Sequence, residues 1–84
     1  MEKYTVVVEV ELKKGITDPE GENTKKALAL LGFNTIEAVR AVKVYEIMVS
    51  AESKEKALAI VEESCKRLLA NPVIHNYKIM LKEP

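Results

Sequence analysis

What this chain lacks narrows its chemistry before anything else. Its 84 residues include no tryptophan and no glutamine, and only one cysteine, one histidine and one aspartate. A lone cysteine cannot close an internal disulfide, so a reducing cytoplasm is the expected compartment. The usual metal-ligand patterns are missing too. There is no CxxC, no HxH and no closely spaced Cys/His pair. Three isolated glycines cannot build a phosphate-cradling loop or a dinucleotide fingerprint. No bound cofactor or metal is expected.

An excess charge of either sign is also absent. Thirteen basic and thirteen acidic side chains cancel, whereas a nucleic-acid binder needs a phosphate-neutralising basic excess. Aromatic residues make up 5% of the chain. Tyr4, Tyr45 and Tyr77 all fall on expected core faces, which leaves no stacking platform for RNA. The apolar runs are short, such as Ala27–Leu31, far below the roughly 20 residues of a membrane span. Met1-Glu2-Lys3 leads straight into strand-like sequence, so no signal peptide is expected.

What remains is 48% apolar and 31% charged, the balance of a globular chain. One domain over residues 1–84 is expected. Surface scaling gives a chain of this mass a folded area of roughly 5,000 Å², with about 60% of the unfolded surface buried. Such a core is thin, and chains this short often gain stability by oligomerising.

Residues 4–12 alternate, with Tyr4, Val6, Val8, Val10 and Leu12 on one face, and predict a strand. Asp18-Pro19 predicts a helix start, because Asp accepts from orphan amides and Pro suits the first helical position. That helix runs to about Leu31, with Ala27, Leu28 and Leu31 as its core stripe and Gly32 as its stop. Residues 35–49 read as two short strands or one long bent strand, and two are favoured. Lys43 interrupts their apolar face, so a turn or bulge is expected near Ala41–Lys43. Ser53 caps a second helix to about Ala70, with Asn71 in a left-handed cap position and Pro72 forbidding continuation. Residues 73–82 form the last strand. The order β-α-β-β-α-β predicts a ferredoxin-like α+β sandwich, an antiparallel sheet with two helices on one face.

The sheet face turned away from the helices should be polar. Instead it offers Val7, Val42, Val44, Met48 and Met80 among its charges. Such a patch predicts packing against another copy.

No catalytic constellation emerges. Cys65 lies on the apolar stripe of a helix, where a buried inert thiol is the simpler reading than a nucleophile. His75, next to the start of the last strand, reads as a surface histidine. In GITDPEG (15–21), capping accounts for Asp18 and Pro19 but not for Gly21, since a first-turn glycine costs about 1 kcal/mol relative to alanine. Close backbone approach by a partner is one reason for it. Arg40 and Lys43 near the bend suit an anion or an acidic partner surface, or simply a charged sheet edge. Two further readings stay open: a ferredoxin-like regulatory domain sensing a small molecule, and an enzyme using Cys65.

The segments LKKGITDPEG (12–21), ALALLGF (27–33), VRAVKVYEI (39–47) and ESCKRLLANPVI (63–74), with Tyr77, resemble the PurS family in order and spacing. PurS chains are small subunits of phosphoribosylformylglycinamidine synthase. The likeness departs at Val42, where the family commonly has glycine, and at His75-Asn76, where it often has an acidic pair. The resemblance implies a non-catalytic role. It implies homodimers, often paired into tetramers, assembled with a large synthetase subunit and a glutaminase subunit. ATP and magnesium would belong to the synthetase partner. It makes Gly15, Asp18, Pro19, Gly21, Arg40, Lys43, Asn71 and Pro72 the candidate partner contacts, and Val7, Val44, Met48 and Met80 the candidate self-association patch.

Overall fold

A computed structural model describes residues 1–82. Its elements are β1 (Glu2–Leu12), α1 (Pro19–Leu30), β2 (Val42–Ala51), α2 (Lys54–Ser64) and β3 (His75–Lys82), with a π-helical turn, Cys65–Leu69, extending α2. The strands form one antiparallel sheet in the order β2-β1-β3. The fold is thus α+β with an antiparallel sheet; the strand expected at 4–12 begins two residues earlier, at Glu2, and both helices start where the sequence places them.

Alternation in β1 decides the layers. Val6 lies opposite Ile47 and Leu81, and Val8 lies opposite Tyr45 and Ile79, so three strands contribute to one apolar face. That face meets α2. Ala57, Val61 and Cys65, spaced four apart, are all buried against it. Val6, Val8, Val10, Val61, Cys65 and Ala70 form the core cluster.

Local signals set the helix ends. Ser53 Oγ accepts from the Lys56 N–H at 3.2 Å and starts α2. Gly32, at φ +99°, ends α1 in a left-handed turn. The Phe33 N–H reaches back to Leu28 O and the Gly32 N–H to Ala29 O, a Schellman closure.

Four details differ from expectation. First, residues 35–41 do not pair. The first of the two expected strands is absent, and β2 alone carries this part of the sheet. Second, there is no bulge near Lys43. The ladder from Glu11↔Val42 to Glu2↔Ala51 is continuous, and Lys43 simply sits opposite Val10 at its end. Third, Asn71 is not left-handed, since Gly15 and Gly32 alone have positive φ among the described residues. The π-turn ends the helix instead. The Ala70 N–H bonds Cys65 O at 3.0 Å, and Ala70 is already extended. Fourth, α2 covers the sheet without α1. Only Gly21 of α1 is buried, and Ala27 and Leu31 are exposed. The apolar residues of α1 are confined to its last turn and a half, too short a stripe to hold a helix along a sheet. The chain is accordingly elongated, 51 × 30 × 14 Å.

Candidate functional site at the root of the first helix

The antiparallel ladder brings the end of β1 beside the starts of β2 and β3: Glu11 pairs with Val42, and Leu12 with His75. The loops that enter and leave these three ends therefore meet. Every candidate partner-contact residue lies in them, in the first turn of α1 or, for Lys43, at the start of β2.

Asp18 organises the meeting. One carboxylate oxygen accepts from the Gly21 N–H at 3.0 Å, which caps α1. The other accepts from the Ala41 N–H at 2.9 Å, which ties the helix root to the segment entering β2. These two backbone donors, Ala41 foremost, hold the Asp18 carboxyl below its usual range, and nearby Arg40 adds to the effect. Arg40 in turn donates to Leu12 O at 2.9 Å and lies 3.6 Å from Glu11. It thereby ties the same segment to the end of β1.

Gly21 has a reason inside the chain. A Cβ there would run into Val39 O and Asp18 Oδ2. The backbone of 38–41 passes so close to the first turn of α1 that a side chain does not fit. Proximity to a partner is not needed to account for this glycine. Gly15, at φ +91°, makes the turn after β1, where the Ile16 N–H bonds Lys13 O at 3.1 Å.

The other loop is built on Asn71. Its Oδ1 accepts from the Val73 N–H at 3.0 Å, and its carbonyl accepts from the His75 N–H at 2.8 Å. The Asn71 N–H donates to His75 Nδ1 at 2.9 Å, so the histidine is committed to shaping the loop around Pro72. The Lys13 N–H then bonds Ile74 O at 2.8 Å and joins the two loops.

Two concave surfaces result. One, of about 380 Å³, lies between Val10, Asp18, Pro19, Lys43, Leu69 and His75. The other, about 720 Å³, runs beneath α1 past Gly15, Asp18, Lys25, Glu37 and Arg40. Both are open grooves with mixed charge. They suit a protein surface better than a small substrate, which needs an enclosed, mostly apolar pocket.

Cys65 is fully buried, and burial pushes its thiol up. Tyr77 donates to Glu62 at 3.3 Å, and burial likewise raises its hydroxyl. Among the described residues, no three His, Cys, Asp or Glu side chains gather to hold a metal. No described helix is long and apolar enough to cross a membrane.

Val7, Val44, Met48 and Met80 share the sheet face opposite α2. Val7 pairs with Met80, Met48 stands opposite Thr5, and Val44 opposite Glu9. Val44 is 60% exposed and Met48 70%.

The sequence reading missed the far end of α1. Leu30, Leu31 and Phe33 are 90%, 74% and 55% exposed. The signal was present in the polar first eight residues of α1, which leave its apolar stripe only the last turn and a half.

Residues 5–83 match a family model described as PurS, phosphoribosylformylglycinamidine (FGAM) synthase. The chain belongs to the PurS family. The phosphoribosylformylglycinamidine synthase subunit PurS of Archaeoglobus fulgidus is 51% identical over 76 residues, covering 90% of this chain and 95% of that one. The PurS subunit of Methanocaldococcus jannaschii is 45% identical over 80 residues, covering 95% and 96%. The crystal structure of that M. jannaschii PurS, one of the subunits of formylglycinamide ribonucleotide amidotransferase in the purine biosynthetic pathway, superposes with a TM-score of 0.85. It covers 96% of this chain and 98% of that one at 44% identity. A chain of the structure of PurLQS from Thermotoga maritima superposes at 0.89, covering 98% and 100% at 30% identity.

Proposed function

We propose that this chain is the non-catalytic structural subunit of a cytoplasmic phosphoribosylformylglycinamidine synthase in de novo purine biosynthesis. The complex converts formylglycinamide ribonucleotide, ATP and glutamine into formylglycinamidine ribonucleotide, ADP, phosphate and glutamate. The synthetase partner holds ATP and magnesium, the glutaminase partner releases ammonia, and this chain bridges the two.

The observation that carries this reading is the gathering of the family-motif residues at one end of the sheet, where they build loops and open grooves and no reactive centre. Asp18, Arg40 and Asn71 spend their polar atoms on backbone groups of their own chain. Such a constellation presents a shaped surface. Meanwhile the only thiol is buried and raised. Self-association through Val7, Val44, Met48 and Met80 would leave that end free on each copy.

Chemistry gives such a subunit a task. Ammonia that escapes into water takes up a proton, and ammonium has no lone pair with which to attack an activated amide. A subunit that aligns two active sites and excludes water between them supports the rate without touching the reacting atoms.

Reconstitution tests the reading. The synthetase and glutaminase subunits of the same organism are mixed with ATP, glutamine and formylglycinamide ribonucleotide, with and without this chain. Glutamine-dependent product only in its presence is the expected result. Equal product in both mixtures would overturn it and turn attention to a ligand-sensing role.

A further inference from the structure

The loop that enters β3 is closed by a bond that only one protonation state of its histidine can make. The Asn71 N–H lies 2.9 Å from His75 Nδ1. A backbone amide can only donate, so Nδ1 accepts and the neutral ring carries its proton on Nε2. An imidazolium carries a proton on both nitrogens. Two donors would then face each other at hydrogen-bond distance, and one side has to move.

The backbone decides which side yields. His75 is held in the sheet by its pairing with Leu12, and the Lys13 N–H bonds Ile74 O at 2.8 Å. Asn71, Pro72 and Val73 are exposed, so an Asn71 amide released from the ring passes to water at little cost. Asn71 is then tied to the start of β3 through its carbonyl, which accepts from the Ile74 and His75 N–H groups. The ring also has somewhere to go. It lines the groove that holds Asp18 and Glu20 from the root of α1 and Lys43 from β2. β1 and the π-turn add only apolar Val10, Leu12 and Leu69 there. Tyr77, next along the same face of β3, is engaged with Glu62. A charged ring that leaves Asn71 thus meets two carboxylates, opposed by one ammonium.

We propose that His75 is a proton-operated clasp: the neutral ring closes the loop 71–75, and the charged ring opens it while the sheet stays paired. Its consequence for assembly rests on the function proposed above, in which Asn71 and Pro72 meet a partner subunit. A closed loop presents them in one arrangement and an open loop in many. Docking onto the open loop must therefore overcome an added ordering cost.

The first measurement uses the full-length chain alone. Long-range proton–nitrogen spectra of the imidazole, and the Asn71 amide signal, are followed from about pH 8 to about pH 5, where histidines change charge. At the alkaline end Nδ1 should be bare and Nε2 protonated, and the Asn71 amide should shift with the same midpoint as the ring. His75→Asn keeps an acceptor oxygen where Nδ1 stood, so its Asn71 amide should hold the alkaline position throughout. His75→Phe keeps a ring without an acceptor and should show the acidic position throughout. An Asn71 amide that stays still while the ring titrates would overturn the clasp. So would a ring protonated on Nδ1 at the alkaline end.

The second measurement is binding to the synthetase and glutaminase subunits over the same range. Wild type should lose about fivefold more affinity than His75→Asn on going to the acidic end, the equivalent of one hydrogen bond. Equal losses would overturn the link to assembly and leave the clasp standing. No binding by either protein at any pH would overturn the functional reading, and the link with it.

Discussion

The Asp18 carboxylate accepts from the backbone N–H of Ala41, twenty-three residues along the chain, at 2.9 Å. The same carboxylate caps α1 through Gly21. One side chain therefore starts a helix and anchors it to the entrance of a strand. Neutralising it should affect both.

Asp18→Ala is expected to lower Tm by roughly 5 °C or more at fixed protein concentration, measured by calorimetry. Asp18→Asn should lie between, since the amide oxygen keeps one acceptor while its NH₂ faces the other donor. The folded carboxyl is held below its usual range. Its contribution is therefore complete above about pH 4, the unfolded value, and is lost as pH falls further through the lower folded value. The acid limb of the stability curve should flatten in both variants.

Gly21→Ala inverts the ordinary helix rule. Alanine in a helix interior normally gains about 1 kcal/mol over glycine. Here the new Cβ meets Val39 O, a backbone atom that cannot swing away. A loss of about 1–3 kcal/mol is expected by urea titration. A gain would show that the 38–41 segment yields.

Cys65 should be silent in the folded protein. It is fully buried and its thiol is raised by that burial. Reaction with a thiol-disulfide reagent at pH 8 should be at least roughly tenfold slower than for free cysteine, and should recover in denaturant. Fast reaction in native buffer would revive Cys65 as a nucleophile.

Arg40→Ala and Lys43→Ala are expected to leave the dichroism spectrum unchanged and to weaken assembly with the partner subunits roughly tenfold, or about 1.4 kcal/mol. Arg40→Ala should also lower Tm slightly, because Arg40 holds Leu12 O. Lys43→Ala, at the end of the ladder, should not. Unchanged assembly in both would remove these residues from the contact surface.

Much of this fold was legible because its signals are local. Alternation over Tyr4–Leu12 specifies β1 and its buried face. Asp18-Pro19 and Ser53 mark both helix starts, and Ala57, Val61 and Cys65 mark the buried side of α2. What was not legible depends on distant partners. Residues 35–41 have strand composition but no neighbouring strand to pair with, and propensity cannot supply one. The left-handed cap assigned to Asn71 gave way to a π-turn, a choice made by the packing of Cys65 and Ala70. Of the candidate site, the residue types were visible, but their meeting was not. That Gly15, Arg40 and Asn71 share one end follows from the register Glu11↔Val42 and Leu12↔His75, which only the paired sheet reveals.

The bond between Asp18 and Ala41 also implies an order of events. Its two ends are near one another only after β2 has paired with β1, because that pairing is what brings Val42 beside Glu11. The direction in which α1 leaves the body is therefore settled late, by a latch that closes over a finished sheet. A change that loosens the latch can re-aim the helix while every strand stays in register. Aim and architecture are separable inheritances in this chain, and the first can drift while the second is kept.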